Sequence, residues 1–255
     1  MMTVFLCEDS LDGILTGVYE AWDSRLGHRN VKLKTDTEDT MELFCEYRTV
    51  STELEKAEKV LRTVRCRMGV KAEEAVCYAA ACPDERKADA IYRLIVLGLS
   101  MRDGRKAVNC LQDPSVLLVE QLRYKAWHEA ERMLGFLRFE ELPGAILYAR
   151  MEPPYAVLSL IAPHFADRLR QENWIIHDVG RGQIAVHRKD SPWFLADARM
   201  LDLRQMERRS DAEAEFQSLW RAFCKSIAIE ERRNPRCQQN LLLLRFRPCM
   251  TEFQQ

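Results

Sequence analysis

The rhythm of hydrophobic and polar positions changes along the chain, and each change marks an element. Residues 3–7 form a short apolar run, an opening strand. Ser10 then precedes Leu11, Ile14, Leu15, Val18, Tyr19 and Trp22, a helical stripe with its own N-cap and with Asp12 in the first turn. Residues 31–34 and 41–50 read as strands. Thr52 and Glu55 make a capping box for a helix that runs to Met68, where Gly69 stops it. Helices follow over 71–81 and 84–101, separated by Pro83. Pro114 opens a long helix through Leu134, stopped by Gly135.

Beyond Gly135 the period shortens. Residues 136–142, 145–151, 174–179 and 183–188 look like strands, with a helix over 163–171 among them. The turn Gly180-Arg181-Gly182 predicts a hairpin over 174–188. Helices and strands come in blocks, which predicts an α+β fold over a doubly wound one. The expected parts are helical clusters, a mainly antiparallel sheet in the mixed segment, and a C-terminal amphipathic basic helix. The chain reads as a single family domain over 1–255. A hinge at 103–113 divides it into an N-terminal α+β module, 1–105, and a C-terminal one, 112–255.

The last helix begins at Ala212 and carries two patterns. Phe216, Trp220, Phe223 and Ile227 fall at helical spacing and predict a buried face. Arg221, Lys225, Arg232 and Arg236 recur at multiples near four and seven and predict a second, cationic face. Pro235 disfavours helical geometry at Asn234, so it ends or kinks the helix there. With Arg233, Arg245 and Arg247 these cations form the footprint of a polyanion-binding surface. The competing reading is a solvated face whose arginines pair with Glu230 and Glu231.

Composition sharpens this. The chain has 255 residues, 47% of them apolar, which is ample for a core. Its formal net charge is −1, so affinity for nucleic acid must come from a local patch. The opening residues lack a signal-peptide h-region, and the apolar runs 91–99 and 241–244 are too short to span a bilayer. The expectation is a cytoplasmic protein with no membrane partner. Nine cysteines occur at irregular spacing with no C-x-x-C. Cys77, Cys82 and Cys110 are the set that could serve a metal or cluster. Small buried thiols in a reducing compartment, with no metal and no cofactor, are the favoured reading.

Candidate chemistry is sparse. His164, His177 and His187 lie in the mixed segment. A three-residue hairpin loop would put His177 and His187 on one face, and a two- or four-residue loop would put them on opposite faces. His128 and Glu131 are an i, i+3 pair on the long helix. Arg138 sits between Leu137 and Phe139, and strand alternation would aim it away from both, free to grip a phosphate or to pair with Glu140 or Glu152. Trp193, Phe194 and Phe246 are candidates for base stacking or for ordinary packing. There is no nucleophile elbow, P-loop or dinucleotide fingerprint.

Several segments together resemble a bacterial family of DNA-metabolism and repair proteins. They are Cys7 through Trp22, Gly135 through Phe139, Tyr148 through Pro153, Ile161 through Arg168 and Trp174 through Val179. Near the C-terminus come Leu219-Trp220-Arg221, Ser226-Ile227, Asn234-Pro235, Gln238, Arg245-Phe246 and Thr251-Glu252. The resemblance spans nearly the whole chain. It implies association with a DNA-repair radical-SAM protein, and related domains stand in front of uracil-DNA-glycosylase-like domains. The chain itself lacks the three-cysteine cluster motif of a radical-SAM enzyme. It departs from the family at Glu131, where relatives tend to carry His, and at 243–247, where they tend to read Pro-x-Arg-Tyr-Trp. Any activity needing that His or Trp would be missing here.

The leading expectation is a DNA-associated accessory protein that binds DNA through Arg138, Arg221, Lys225, Arg232, Arg233, Arg236, Arg245 and Arg247. It would cooperate with a radical-SAM partner. The alternatives are a nuclease or base-removing hydrolase built on the histidines and nearby acids, and a scaffold for an acidic protein.

Overall fold

The computed structural model describes residues 2–35, 42–200 and 210–253. It is a mixed α and β structure in two compact units, Met1–His128 and Glu129–Gln255. The boundary falls inside one helix.

The first unit begins with strand β1 (Met2–Cys7), helix α1 (Leu11–Asp23) and strand β2 (Val31–Thr35). Ser10 caps α1 as its sequence predicts, its hydroxyl accepting the Gly13 amide at 3.0 Å. A third strand, β3 (Cys45–Thr49), pairs with the other edge of β1. The predicted strand 41–50 shortens to this core, and its start at 41 lies outside the described residues. All three strands are parallel, in the order β2-β1-β3, with Thr3 opposite Val31 and Met2 opposite Cys45. Parallel neighbours need a crossover, and α1 supplies the one between β1 and β2.

Four helices complete this unit: α2 (Leu54–Met68), α3 (Val70–Ala80), α4 (Lys87–Ser100) and the first two-thirds of α5 (Pro114–Phe136). The predicted capping box is not formed. Glu53 occupies the N-cap position without a side-chain bond, and the Thr52 hydroxyl donates instead to Glu8 at 2.6 Å. Gly69 does end α2: its φ of 84° is the left-handed geometry a glycine adopts freely. The 103–113 segment holds a short 3-10 turn, Gly104–Asn109, packed against α2, α3 and α4 within this unit.

Helix α5 continues through Gly135, the predicted stop, to Phe136. Gly135 is exposed and a Cβ added there would meet nothing, so it costs only its propensity, about 1 kcal/mol against alanine. That shift shortens the predicted strand 136–142 to β4 (Glu140–Leu142). The second unit then builds β5 (Ile146–Met151), α6 (Leu158–Arg168), β6 (Asn173–Asp178), β7 (Gln183–His187) and β8 (Phe194–Asp197). Strand β8 falls where no strand was expected. The sheet order is β4-β5-β6-β7-β8, antiparallel at every pair but β5-β6. Helix α6 starts five residues before the expected 163. Pro163 lies inside it, and the carbonyl it cannot bond belongs to Ser159, which is exposed to water.

One face of this sheet buries Leu142, Tyr148, Ile175 and Ile184. The other face carries Trp174, Ile176 and Ala185 toward Phe165 and the α6 side. Phe139 meets both Phe165 and Trp174 edge-on at centroid distances of 5.2 and 6.5 Å. Among the described residues, two further α-helices follow, α7 (Asp211–Ser226) and α8 (Pro235–Leu241), and then short 3-10 turns. The C-terminal helix is therefore interrupted. α7 stops at Ser226, and Pro235 opens α8 as its first residue, where a missing N–H costs nothing. The Asn234 side chain caps that start by accepting the Cys237 amide at 2.9 Å.

Candidate nucleic-acid interface

Helix α7 is fixed at its first turns by polar groups. Ser210 accepts the Glu213 amide at 3.1 Å. The buried Glu213 carboxylate accepts the Glu141 amide at 3.0 Å and the Gln217 side-chain amide at 2.8 Å. Glu213 and Gln217 are thus the face α7 buries beside β4. This reverses the expected face. Phe216, Trp220 and Phe223 remain 65%, 41% and 51% exposed, and Ile227, past the end of the helix, is exposed too. The reversal has a physical cause: a carboxylate that finds two donors has much of its desolvation cost offset, and helical spacing alone cannot say which stripe finds them.

The exposed stripe walls a groove of about 980 Å³ whose other lining includes Leu137, Arg138, Phe139, Phe165, Arg168 and Leu169. Trp220 is held in place by its indole N–H, which donates to Glu252 at 3.2 Å. The other Glu252 oxygen takes Arg138 at 3.2 Å. Arg138 is not on a strand, so alternation does not aim it. Its partner is Glu252, not Glu140 or Glu152, and it also donates to the Gly135 carbonyl.

A second cavity, of about 1060 Å³, is lined by Lys225 from the last turn of α7 and by Arg232, Arg233 and Arg247 from beyond it, with Glu230 the one acid among its lining residues. Arg233 approaches Glu230 at 3.6 Å, both side chains largely in solvent. Arg247 lies over the Phe253 ring at 4.9 Å, and its Nε is buried without a hydrogen-bond partner among the described residues. Arg236 is exposed near the start of α8. Arg221 donates from Nε to the Gln217 carbonyl at 3.1 Å. Arg245 reaches the buried Glu129 carboxylate and lies over the Phe246 ring at 4.8 Å.

The histidines do not converge. The hairpin loop has four residues, 179–182, so Ile184 faces His177 across β6-β7 while His187 faces Trp174. His177 and His187 therefore occupy opposite faces of the sheet. His177 Nδ1 bonds the Tyr148 hydroxyl at 2.7 Å, and burial, helped by Arg150, lowers its pKa. His187 donates from Nδ1 to the Glu172 carbonyl at 2.9 Å and stacks on Trp174, with planes 10° apart. His164 is exposed on α6. Asp178 is buried, and its carboxylate takes the Arg181 side chain at 3.1 Å, which ties the hairpin loop to the Pro153 and Pro154 carbonyls. Its pKa is raised by burial despite that arginine.

Burial pushes the Cys77 and Cys82 thiols up to about 11, so both stay protonated at neutral pH. No group of three His, Cys, Asp or Glu side chains among the described residues could hold a metal ion. No described helix is long and apolar enough to cross a membrane. Phe246 is fully buried and cannot stack a base, while Phe194 is half exposed on β8.

These features define a mixed α and β protein with an aromatic groove and a cationic cavity in its second unit. The chain belongs to the DUF4130 family, a domain of unknown function, which matches residues 85–252. That match starts at the loop before α4 and covers about two-thirds of the chain. No curated protein matches the chain. Among solved structures, one described as a member of the s1p family of ribosomal proteins, DHH domain, is 11% identical over 74% of each chain with a TM-score of 0.33. A likeness that distant carries no argument about fold or function.

Proposed function

We propose that the protein binds DNA through the C-terminal segment of its second unit, as an accessory factor in DNA repair or modification. The cavity that gathers Lys225, Arg232, Arg233 and Arg247 carries this reading. Four cations around one space, on a chain of formal net charge −1, are concentrated where phosphates would be neutralised. Arg236 extends the patch. Arg138 and Arg245 stand beside carboxylates and contribute by exchanging those partners for phosphate. Cooperation with a radical-SAM protein and a cytoplasmic location complete the proposal; the first rests on the family resemblance described from the sequence, the second on the hydropathy pattern of the chain.

Fluorescence anisotropy with a labelled duplex, read against salt, tests it. Each phosphate contact contributes a slope of about −0.9 in log K against log salt, so about four to six contacts give roughly −4 to −5. Replacing Arg232, Arg233 and Arg236 together flattens that slope by up to about three units and weakens all sequences alike. Binding that ignores salt, or that survives the triple change, places the DNA surface elsewhere.

A further inference from the structure

We infer that the aromatic groove beside α7 takes unpaired nucleobases, so that the DNA engaged here is single-stranded; this rests on the DNA-binding reading above. Phe216, Trp220 and Phe223 form one stripe, spaced four and three residues apart, and all three are exposed. An apolar helix face of this kind, beside a groove of about 980 Å³, marks a binding surface. Pockets for drug-sized ligands span about 300–1,000 Å³, so the groove has room for more than one base-sized ring.

Ring chemistry points to bases. Trp220 and Phe223 sit with centroids 5.8 Å apart and planes tilted by 32°, a platform of neighbouring π faces. The Glu252 carboxylate anchors the indole N–H, which holds Trp220 in one orientation before any ligand arrives. Every base has a π face, so such a platform accepts bases without reading their order. A duplex cannot use it, because its bases are already stacked on one another.

Charge completes the fit. Exposed Arg168 lines the groove, and so does Arg138. These cations stand beside the aromatic stripe, where the phosphates of a strand with its bases in the groove would need them, the pairing of aromatic platform and basic side chains that single-strand binders use. Lys225, two residues after Phe223, is turned to the other side of the helix and belongs to the separate cationic cavity. An apolar peptide would have no use for the groove's arginines.

The test compares a labelled thymidine oligonucleotide with an abasic oligomer of equal length and phosphate count. The wild-type protein is expected to bind the base-bearing strand roughly ten-fold or more tightly than the abasic one. Replacing Trp220 and Phe223 together by Leu should bring the base-bearing strand down to the abasic level and leave abasic binding and its salt slope unchanged. The Arg232, Arg233 and Arg236 replacements should lower both strands alike. Equal binding of the two strands by wild-type protein overturns the base-stacking assignment while leaving DNA binding intact. Binding of neither strand also overturns the inference, and the duplex measurement above then decides by itself whether DNA binding stands. A dimer in sedimentation that the Leu variant splits would assign the groove to a second copy instead.

Discussion

Glu129 is 1% exposed, and one of its carboxylate oxygens has no hydrogen-bond partner among the described residues. Burial raises its pKa, and Arg245 and Arg132 only partly oppose the rise. A raised acid contributes stability that is complete below the unfolded carboxyl pKa of about 4.5 and is lost as pH climbs through the folded value. Glu129→Gln removes that proton equilibrium. The urea midpoint of the variant should therefore gain on wild type as pH rises above the ordinary carboxyl pKa. A constant difference between the two proteins would mean that Glu129 does not titrate there. At the same scale, Trp174 is fully buried and Trp220 is 41% exposed. Trp174→Ala should cost about 3–5 kcal/mol. Trp220→Ala should cost no more than about 1.5 kcal/mol, since much of its surface is already in water. Equal shifts in denaturant midpoint would contradict the faces described for α7.

Helix α1 packs closely on β1 at Gly17. A Cβ on Gly17 would lie 2.1 Å from the Cys7 sulfur, closer than any real contact. Gly17→Ala should destabilise the protein by about 1–3 kcal/mol through overpacking. Adding Cys7→Ala to it should recover part of that loss, and a double variant no better than the sum of the two singles would exclude this contact as the cause. Helix α1 was legible in the sequence because its cap and stripe are local: Ser10 and the apolar positions act within a few residues. The interruption after α7 was less so. Pro235 was visible, but whether a proline ends one helix or opens the next depends on Asn234, whose side chain caps the second.

The whole molecule carries a formal net charge of −1. Replacing Arg232, Arg233 and Arg236 by Ala makes it three charges more negative while changing side chains that are exposed. Thermal stability should stay within about 0.5 kcal/mol of wild type, as surface substitutions do, while DNA affinity falls. Loss of folding in that variant would instead give these arginines a structural role. At this scale the sequence by itself determined the elements with local signals: the opening strand, the capped first helix, the 174–188 hairpin, the α+β class and the basic C-terminus. Tertiary structure alone decided which faces are buried. The four-residue loop separates His177 from His187, Glu252 rather than Glu140 takes Arg138, and the paired Glu213 goes inward on α7 while its aromatic stripe faces water. Periodicity fixes which residues share a face, because that follows from backbone geometry. It cannot fix which face turns inward, because that depends on partners brought from distant parts of the chain.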